Sequence, residues 1–220
     1  MDLLHDLTLA ASLTRISAGG LKVGSIIKIG AGSGADVPYV ERYFPGSRTL
    51  LIEMDERFLP QWETLRAQVP TLRWAVCGAA AEDRDGYMRK TDRTGGVITQ
   101  ERTADSTPIS FRRIDSLVKE HRLEPPYFMR FDTHGAEREV LAGATEALKH
   151  TALIQMEWYN FKHELTFDKM VGYMRERGFR VIDMCEPLFR EDGAFWQIHL
   201  FFARDDHPAF RVASFNAKKR

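Results

Sequence analysis

The sequence predicts an α/β fold built around a mostly parallel sheet. Short β-branched or apolar runs alternate five times with segments of helical periodicity, and such alternation is typical of parallel strands joined by crossover helices. Two further strands follow near the carboxyl terminus, separated by the segment "CEPLFREDGAF". That segment has no room for a crossover helix, so we expect the last two strands to form an antiparallel pair.

Size and charge narrow the possible functions. The chain has 220 residues, which suits a single domain, and it carries 31 basic and 31 acidic residues for a formal net charge of zero. A neutral chain gives no electrostatic reason to expect nucleic acid or an anionic membrane as partner. No apolar run reaches the roughly 18 residues of a membrane span. We therefore expect a small-molecule or carbohydrate partner, whereas the oligomeric state stays open.

The two ends of the chain are predicted to lie outside the main domain. Residues 1–20 form an amphipathic helix, and the acids Asp2 and Asp6 are unlike the basic start of a signal peptide. The domain itself spans 21–204, and 205–220 is a tail. The cysteines, Cys77 and Cys185, sit among apolar neighbours, which predicts buried thiols, no disulfide framework and a cytoplasmic location.

The elements follow from β-branched runs, helical spacing and Gly or Pro stops. Predicted strands lie at 25–29, 49–53, 71–76, 127–132, 152–157, 180–184 and 196–203, and predicted helices lie at 35–44, 56–68, 135–150 and 166–177. The polar segment 82–108 is too long for a passive connector. It predicts either a lid or a surface excursion with a short hairpin, followed by a strand that leads into a helix.

In a parallel sheet, ligands bind beyond the carboxyl ends of the strands. The first strand is followed by a glycine turn, 30–34, in which backbone can approach a ligand closely. Its spacing fits both the G-x-G-x-x-A pattern of dinucleotide enzymes and the G-x-G-x-G pattern of S-adenosylmethionine enzymes. Glu53, which ends the second strand, suits the ribose hydroxyls of either cofactor.

Three features favour S-adenosylmethionine. The chain is too short for a second nucleotide-binding half, the terminal hairpin is not the usual end of a dinucleotide fold, and the fourth strand ends in an acid-containing loop. The alternatives are an NAD-dependent oxidoreductase and a catalytically silent binding module. The second of these is supported by Lys28, a lysine two residues before the glycine turn.

The segment "RFDTHGAEREVLAGA", residues 130–144, resembles the signature of FkbM-type S-adenosylmethionine-dependent methyltransferases. The neighbouring "RRIDSLV", "LLIEMD" and "LIQMEW" are also similar to segments of that family. The resemblance covers roughly 25–203. It implies a Rossmann-like class I methyltransferase sandwich, with a seven-stranded, mostly parallel sheet, an antiparallel last strand and helices on both faces. It also implies methyl transfer to a hydroxyl of a sugar, glycolipid or polyketide-type small molecule.

The sequence departs from the family pattern at Lys28, at Arg130, where lysine is usual, and at His134, where glutamate is common. Two ways of activating a hydroxyl remain open. His134 is a candidate general base, because its ordinary pKa lies near 6.5. Alternatively, Asp132 and Glu157 end neighbouring strands and together suit a divalent ion such as Mg²⁺, with Asn160 or His163 as a further ligand.

The candidate site residues fall into four groups. The cofactor-binding candidates are Gly30, Ala31, Gly32, Ser33, Gly34, Glu53, Met54, Val76, Cys77 and Asp132. The catalytic candidates are Asp132, His134 and Glu157, and the metal candidates are Asp132 and Glu157. The substrate candidates are Trp158, Tyr159 and Asn160, whose segment is rich in aromatic residues that could stack on a flat acceptor or close the core. Glu137, in the first turn of the following helix, either favours the helix dipole or contacts the site.

Overall fold

A computed structural model of the chain describes residues 6–90, 96–99, 102–133, 135–160 and 166–212. The described strands are β1 (Ser25–Ile29), β2 (Arg48–Glu53), β3 (Arg73–Val76), β4 (Gly78–Ala79), β5 (Arg84–Lys90), β6 (Gly96–Thr99), β7 (Ser106–Arg112), β8 (Tyr127–Phe131), β9 (Thr151–Tyr159), β10 (Phe179–Phe189) and β11 (Phe195–Arg204). The described α-helices are α1 (Leu9–Ala18), α2 (Val37–Glu41), α3 (Leu59–Arg66), α4 (Ile114–Glu120), α5 (Glu137–Ala142), α6 (Thr145–Lys149) and α7 (Phe167–Glu176).

The main sheet has seven strands in the order β10-β11-β9-β8-β1-β2-β3. The pairs from β9 to β3 are parallel, whereas β11 is antiparallel to both of its neighbours. This arrangement confirms the predicted fold class and the predicted terminal hairpin. It also brings the carboxyl ends of β1, β2, β3, β8 and β9 to one edge of the sheet, where ligands bind in this architecture.

Helices cover both faces of the main sheet. Successive strand residues point to opposite sides, and the central strands carry apolar side chains on both sides that the helices bury. Ile27 and Ile29 of β1 pack with residues of α4, α5, α6 and α7. Ile26 lies on the other face, in a cluster with residues of α1 and α2. A further cluster on that second face packs Leu51 of β2 against Trp62 of α3. The sheet is therefore buried on both sides over most of its width.

Helix α1, Leu9–Ala18, lies within the segment 1–20 for which a helix was predicted. Thr8 accepts a hydrogen bond from the backbone N–H of Ala11 and so caps the helix amino terminus. Arg15 forms two hydrogen bonds to the Asp183 carboxylate, at 2.7 and 2.8 Å, and Ser12 donates to the same carboxylate. These contacts fasten the helix to β10, at the edge of the sheet.

The polar segment 82–108 contains part of a second sheet. Its four strands have the order β4-β7-β5-β6, and β5 and β6 form an antiparallel hairpin, as one of the two sequence interpretations predicted. Phe111 of β7 is fully buried. A Cβ added to Gly78 or Gly86 would lie 2.5 Å from its ring, so these two glycines make room for the aromatic side chain that anchors the small sheet. The role of this segment as a lid stays a prediction.

The predicted helix over 135–150 is divided into α5 and α6 at Gly143. A Cβ on Gly143 would lie 1.9 Å from the carbonyl oxygen of Ala80, so only glycine permits this approach. The Asp115 carboxylate accepts hydrogen bonds from the backbone N–H groups of Glu146 and Ala147, which caps α6. Asp115 lies in the segment "RRIDSLV" that resembles the family, and its contacts there are structural.

Both cysteines are free and buried, as predicted. Burial raises the pKa of each thiol to about 12, so neither is a nucleophile at neutral pH. No helix among the described residues is long and apolar enough to span a membrane.

We expect Phe111→Ala to lower the free energy of unfolding by about 3–5 kcal/mol, because it removes a fully buried ring between two glycines. Phe189→Ala is the matched control, since the Phe189 side chain is 63% exposed, and should cost about 0.5 kcal/mol or less. Urea unfolding followed by circular dichroism measures both values. Equal losses in the two variants would contradict the anchoring role.

Candidate active site

The glycine turn lies against the end of β8. The backbone N–H groups of Gly30 and Ala31 donate to the carbonyl of Ile52, at 3.0 and 3.1 Å. Gly30 has φ +70°, and a Cβ there would lie 2.0 Å from the carbonyl oxygen of Asp132. By contrast, a Cβ on Gly32 would meet nothing within 4 Å. The turn therefore packs tightly on its Gly30 side and is open to a ligand at Gly32.

Glu53 is held by the turn that it faces. Its Oε2 accepts a hydrogen bond from Gly32 N–H at 2.9 Å, and its Oε1 accepts from Met54 N–H and Asp55 N–H at 2.8 and 3.1 Å. An ionised carboxylate has about four acceptor positions, so capacity remains for a ligand hydroxyl. Val76 lies opposite Glu53 at the end of the neighbouring strand and is 38% exposed. An open glycine, an acceptor carboxylate and an apolar surface at one edge suit a nucleoside-bearing cofactor.

Asp132 and Glu157 form a carboxyl pair, as their strand positions predicted. Phe131 is opposite Met156, so the next residues along the two parallel strands are adjacent. Burial raises the pKa of Glu157, the neighbouring Asp132 raises it further, and His199 opposes the rise. Gln197 Nε2 also donates to Glu157 Oε1. The result is a carboxyl group that holds its proton more strongly than an exposed glutamate.

The loop after β8 is tied down by Glu137. This side chain is 8% exposed, and its Oε1 accepts hydrogen bonds from Gly135 N–H at 2.9 Å and from Thr133 Oγ1 at 3.1 Å. Glu137 therefore fixes the shape of the loop that carries Asp132. His134, the predicted base, lies outside the described residues, and so does His163.

Lys28 and Arg130, two of the departures from the family pattern, are buried and form one cluster with the partly exposed Asp36. Lys28 Nζ lies 2.5 Å from Asp36 Oδ1, and Arg130 Nη1 lies 2.7 Å from Asp36 Oδ2. Burial by itself would raise the pKa of Asp36, but the two adjacent cations outweigh it and lower the pKa to about 2. Sequence reasoning did not select Asp36. The sequence did offer a signal for it. Lys28 and Arg130 occupy paired positions on two buried strands, and two buried cations need an anion close by.

Aromatic side chains continue from Glu157 along the end of β9. Tyr159 contacts Trp196 edge to face, with ring centroids 6.0 Å apart. Burial raises the pKa of the Tyr159 hydroxyl, and the nearby Glu157 raises it further. Asn160 donates through its backbone N–H to the Trp196 carbonyl at 2.8 Å and through Nδ2 to the Phe195 carbonyl at 3.3 Å. Trp196 was missed by sequence reasoning, because only the antiparallel pairing of β11 with β9 brings it here.

Of the two roles that the sequence left open for Trp158, its position matches the second, closing the core. Its side chain is 2% exposed and lies in the main core, where it packs edge to face on Phe167. Trp158 and Tyr159 are adjacent along a strand and therefore point to opposite faces. Only Tyr159 shares a face with Glu157.

A cavity of about 850 Å³ lies at the tip of the β10–β11 hairpin, beside Trp196. Its other lining residues are Leu188, Phe189, Arg190, Glu191 and Asp192. Leu188 and Phe189 are 50% and 63% exposed. One residue of its lining, Trp196, contacts Tyr159, and the Tyr159 hydroxyl lies near Glu157.

The described residues do not offer a convincing metal site at this edge. Cys185, Glu186 and His199 place possible ligand atoms within 4.8 Å of one another. However, the His199 Nδ1 atom already lies 2.8 Å from Gln155 Nε2, and burial raises the pKa of the Cys185 thiol to about 12. The metal predicted at Asp132 and Glu157 is not supported either, since no third His, Cys, Asp or Glu among the described residues joins these two carboxylates in a group that could hold an ion.

We expect Asp36→Asn to destabilise the fold by about 3–5 kcal/mol, because it leaves Lys28 and Arg130 buried without their anion. Asp192→Asn is the control, since its ion pair with Arg190 is about half exposed, and should cost about 1 kcal/mol or less. The pKa of Asp36 is lowered from 3.8 to about 2. Its contribution is therefore complete above pH 4 and is lost as the pH falls toward 2. Urea titrations at several pH values measure how stability falls between pH 4 and 2, and this fall should be smaller in Asp36→Asn by the part that Asp36 contributes.

Among solved structures, the chain is similar to the 1,6-didemethyltoxoflavin-N1-methyltransferase of Burkholderia thailandensis, solved with 1,6-didemethyltoxoflavin and S-adenosylhomocysteine bound. The TM-score is 0.52 at 14% identity, over 93% of this chain and 82% of that chain. An rRNA methylase from Streptococcus thermophilus has a TM-score of 0.50 at 12% identity, over 88% of this chain and 93% of that one. At these identities the likeness shows the fold alone.

Sequence comparison identifies the family. No curated protein matches the chain significantly. The model of the methyltransferase FkbM domain matches residues 29–181, which include the glycine turn, Glu53 and the carboxyl pair. Since that match spans more than half of the sequence, the chain belongs to the FkbM family of S-adenosylmethionine-dependent methyltransferases.

Proposed function

We propose that this protein is an O-methyltransferase that acts on a hydroxyl of a ring-containing small molecule, such as a sugar, a glycolipid or a polyketide-type metabolite. The observation that carries the proposal is the Asp132–Glu157 carboxyl pair beside the glycine turn. A hydroxyl must lose its proton as it is methylated. Glu157, whose pKa is raised by burial, is a stronger base than an exposed carboxylate, so it suits this proton transfer.

S-adenosylmethionine, when bound, supplies a methyl group on a positively charged sulfur that is open to attack by the acceptor oxygen. The turn 30–34 would hold the cofactor by close backbone approach at Gly32. Glu53 would accept hydrogen bonds from ribose hydroxyls, and the exposed Val76 would contact the adenine face. Met54 and Cys77 would also contact the cofactor at this edge of the sheet. Cys77 would do so through its backbone, because its thiol is buried.

Asp132 lies between the turn and Glu157, so it is placed to orient both the cofactor and the base. Its negative charge also raises the pKa of Glu157. His134 follows two residues later and remains an alternative base from the sequence, and a divalent ion between the two carboxyl groups is the second alternative. Of the three routes, we favour Glu157, because burial and Asp132 act together on its pKa.

Tyr159 and Trp196 would contact the acceptor ring, and the hairpin cavity would take the remainder of the molecule. Edge-to-face aromatics next to a polar site suit an acceptor with one apolar face and several hydroxyls. The zero net charge of the chain favours such an acceptor over RNA, although an RNA-modifying enzyme shares the fold. A cytoplasmic location accords with two buried, unpaired thiols.

Cofactor binding is tested by calorimetry. We expect S-adenosylmethionine and S-adenosylhomocysteine to bind with 1:1 stoichiometry. Glu53→Ala should weaken both affinities about 10- to 100-fold, since it removes a charged acceptor of two hydroxyl hydrogen bonds. Glu63→Ala, which removes an exposed acid on α3, should leave the affinities unchanged. No binding by the unaltered protein would refute the proposed function.

The route of proton transfer is tested by release of S-adenosylhomocysteine on a panel of sugars, glycolipids and polyketide-type alcohols. Glu157→Gln should lower kcat about 10²- to 10⁴-fold. His134→Ala should have a smaller effect, and EDTA should have none. A large loss in His134→Ala with an active Glu157→Gln would make His134 the base, and loss of turnover in EDTA would restore the metal route.

The pH dependence of kcat gives a further check. Glu157 must be ionised to accept a proton, and its pKa lies above the ordinary 4.5. As the pH is lowered, activity should therefore be lost when Glu157 becomes protonated. This loss should occur at a higher pH than an ordinary glutamate would give. An acid limb at or below pH 4.5 would contradict this assignment.

A further inference from the structure

Polar side chains form a connected line beneath the carboxyl pair. Arg130 is opposite Gln155, and Glu157 is opposite His199. Strand residues two positions apart share a face. Arg130, Gln155, Glu157 and His199 therefore all point to the side of the sheet covered by α1, α2 and α3. Arg130 and Gln155 are 7% and 3% exposed, so their polar atoms depend on one another for partners.

The direction of each hydrogen bond in this line is determined by chemistry. A guanidinium can only donate, and Arg130 Nε lies 2.7 Å from Gln155 Oε1. The other end of the same amide, Gln155 Nε2, then faces His199 Nδ1 at 2.8 Å. An amide nitrogen can only donate, so His199 Nδ1 must accept. The neutral imidazole consequently carries its proton on Nε2.

The Nε2 atom of His199 points to Glu157, with 3.6 Å between Nε2 and Oε1. The proton on Nε2 therefore faces the carboxyl oxygen that also accepts from Gln197. Reversing the tautomer would place a lone pair against that oxygen. Asp36 holds Arg130 in place, with 2.7 Å between Arg130 Nη1 and Asp36 Oδ2. Arg130 orients Gln155, Gln155 orients His199, and His199 in turn faces the carboxyl group of Glu157.

We propose that Arg130, Gln155 and His199 form a hydrogen-bonded relay that fixes His199 as its Nε2–H tautomer and thereby orients the carboxyl group of Glu157 for proton transfer. His199 is a positioning residue in this scheme, because it acts through Glu157. The proposal rests on the proposed function, since it assumes that Glu157 is the base. It explains why a buried glutamine and a histidine lie under the site, where apolar side chains would pack more simply.

Several other ionisable groups lie close to Glu157 and His199. Asp132 faces Glu157 from β8, and Tyr159 faces it from β9. Glu186 of β10 lies 3.9 Å from His199 Nδ1, and Cys185 is adjacent. Burial and Asp132 raise the pKa of Glu157, whereas His199 lowers it. Removal of His199 should therefore move the titration of Glu157 to higher pH.

The tautomer is measured directly by long-range ¹H–¹⁵N correlation spectra of protein labelled at histidine nitrogens. His199→Asn identifies the signals that belong to His199. At neutral pH we expect a proton on Nε2 and an unprotonated Nδ1. Gln155→Leu should shift His199 toward a mixture of tautomers, because Nδ1 then loses its donor. A proton on Nδ1 in the unaltered protein would overturn the relay, whatever the enzyme's activity.

The functional consequence is measured by pH–rate profiles. His199→Phe should lower kcat about tenfold and move the acid limb to higher pH. KM and the dissociation constant for S-adenosylhomocysteine should change less than about twofold. His199→Asn retains an N–H donor and should recover part of the rate. His150→Phe is the control, because His150 is exposed at the end of α6, and should match the unaltered enzyme.

These results separate the relay from the proposed function. An unshifted acid limb in His199→Phe, together with an inactive Glu157→Gln, would overturn the relay and leave the function standing. Full activity of Glu157→Gln would refute Glu157 as the base, and with it the relay's catalytic role. Should His199→Phe fail to fold, judged by circular dichroism, Gln155→Leu provides the same two measurements.

Discussion

The contact of two buried cations with one carboxylate governs the arrangement of the site. Lys28 and Arg130 are paired across two central parallel strands, so their charges are forced together on one face of the sheet. Neither can reach bulk water, since they are 9% and 7% exposed. Asp36, at the start of α2, satisfies both. Because an unpaired buried charge costs several kcal/mol, this contact fixes where α2 begins relative to the strands, and hence the path of the glycine turn.

A second constraint follows from that path. The turn must leave β1 with positive φ at Gly30 and pass so close to the end of β8 that a Cβ on Gly30 would collide with the Asp132 carbonyl oxygen. The glycine turn on the cofactor side therefore packs directly against the loop after β8 on the acceptor side. Glu53 and Glu137 hold these two loops in place, because each accepts a hydrogen bond from a backbone N–H of the loop that it faces. The same acids that would contact ligands thus also hold the loops in shape.

Sequence patterns predicted the main sheet well and the helices less accurately. All seven strands of the main sheet lie where short buried runs predicted them, although β9 and β10 extend beyond their predicted ends at 157 and 184 to Tyr159 and Phe189. The helix expected over 135–150 is broken at Gly143, where a carbonyl of the distant Ala80 approaches. Trp158 and Tyr159 were given the same role, although adjacent strand residues face opposite sides. His134, which the family pattern made the most informative departure, is not among the described residues, and its role remains a prediction.

By itself, the sequence determined the α/β class, the family, the glycine turn and the acids at the ends of β2, β8 and β9. Local periodicity and motif spacing carry that information directly. Only the tertiary structure brought Asp36 to Lys28 and Arg130, Trp196 to Tyr159, and Gln155 and His199 to Glu157. These contacts depend on strand order and register, which the chain sets by packing the whole sheet between its helices. No short segment of sequence encodes them, because the partners lie on different strands and meet only after folding.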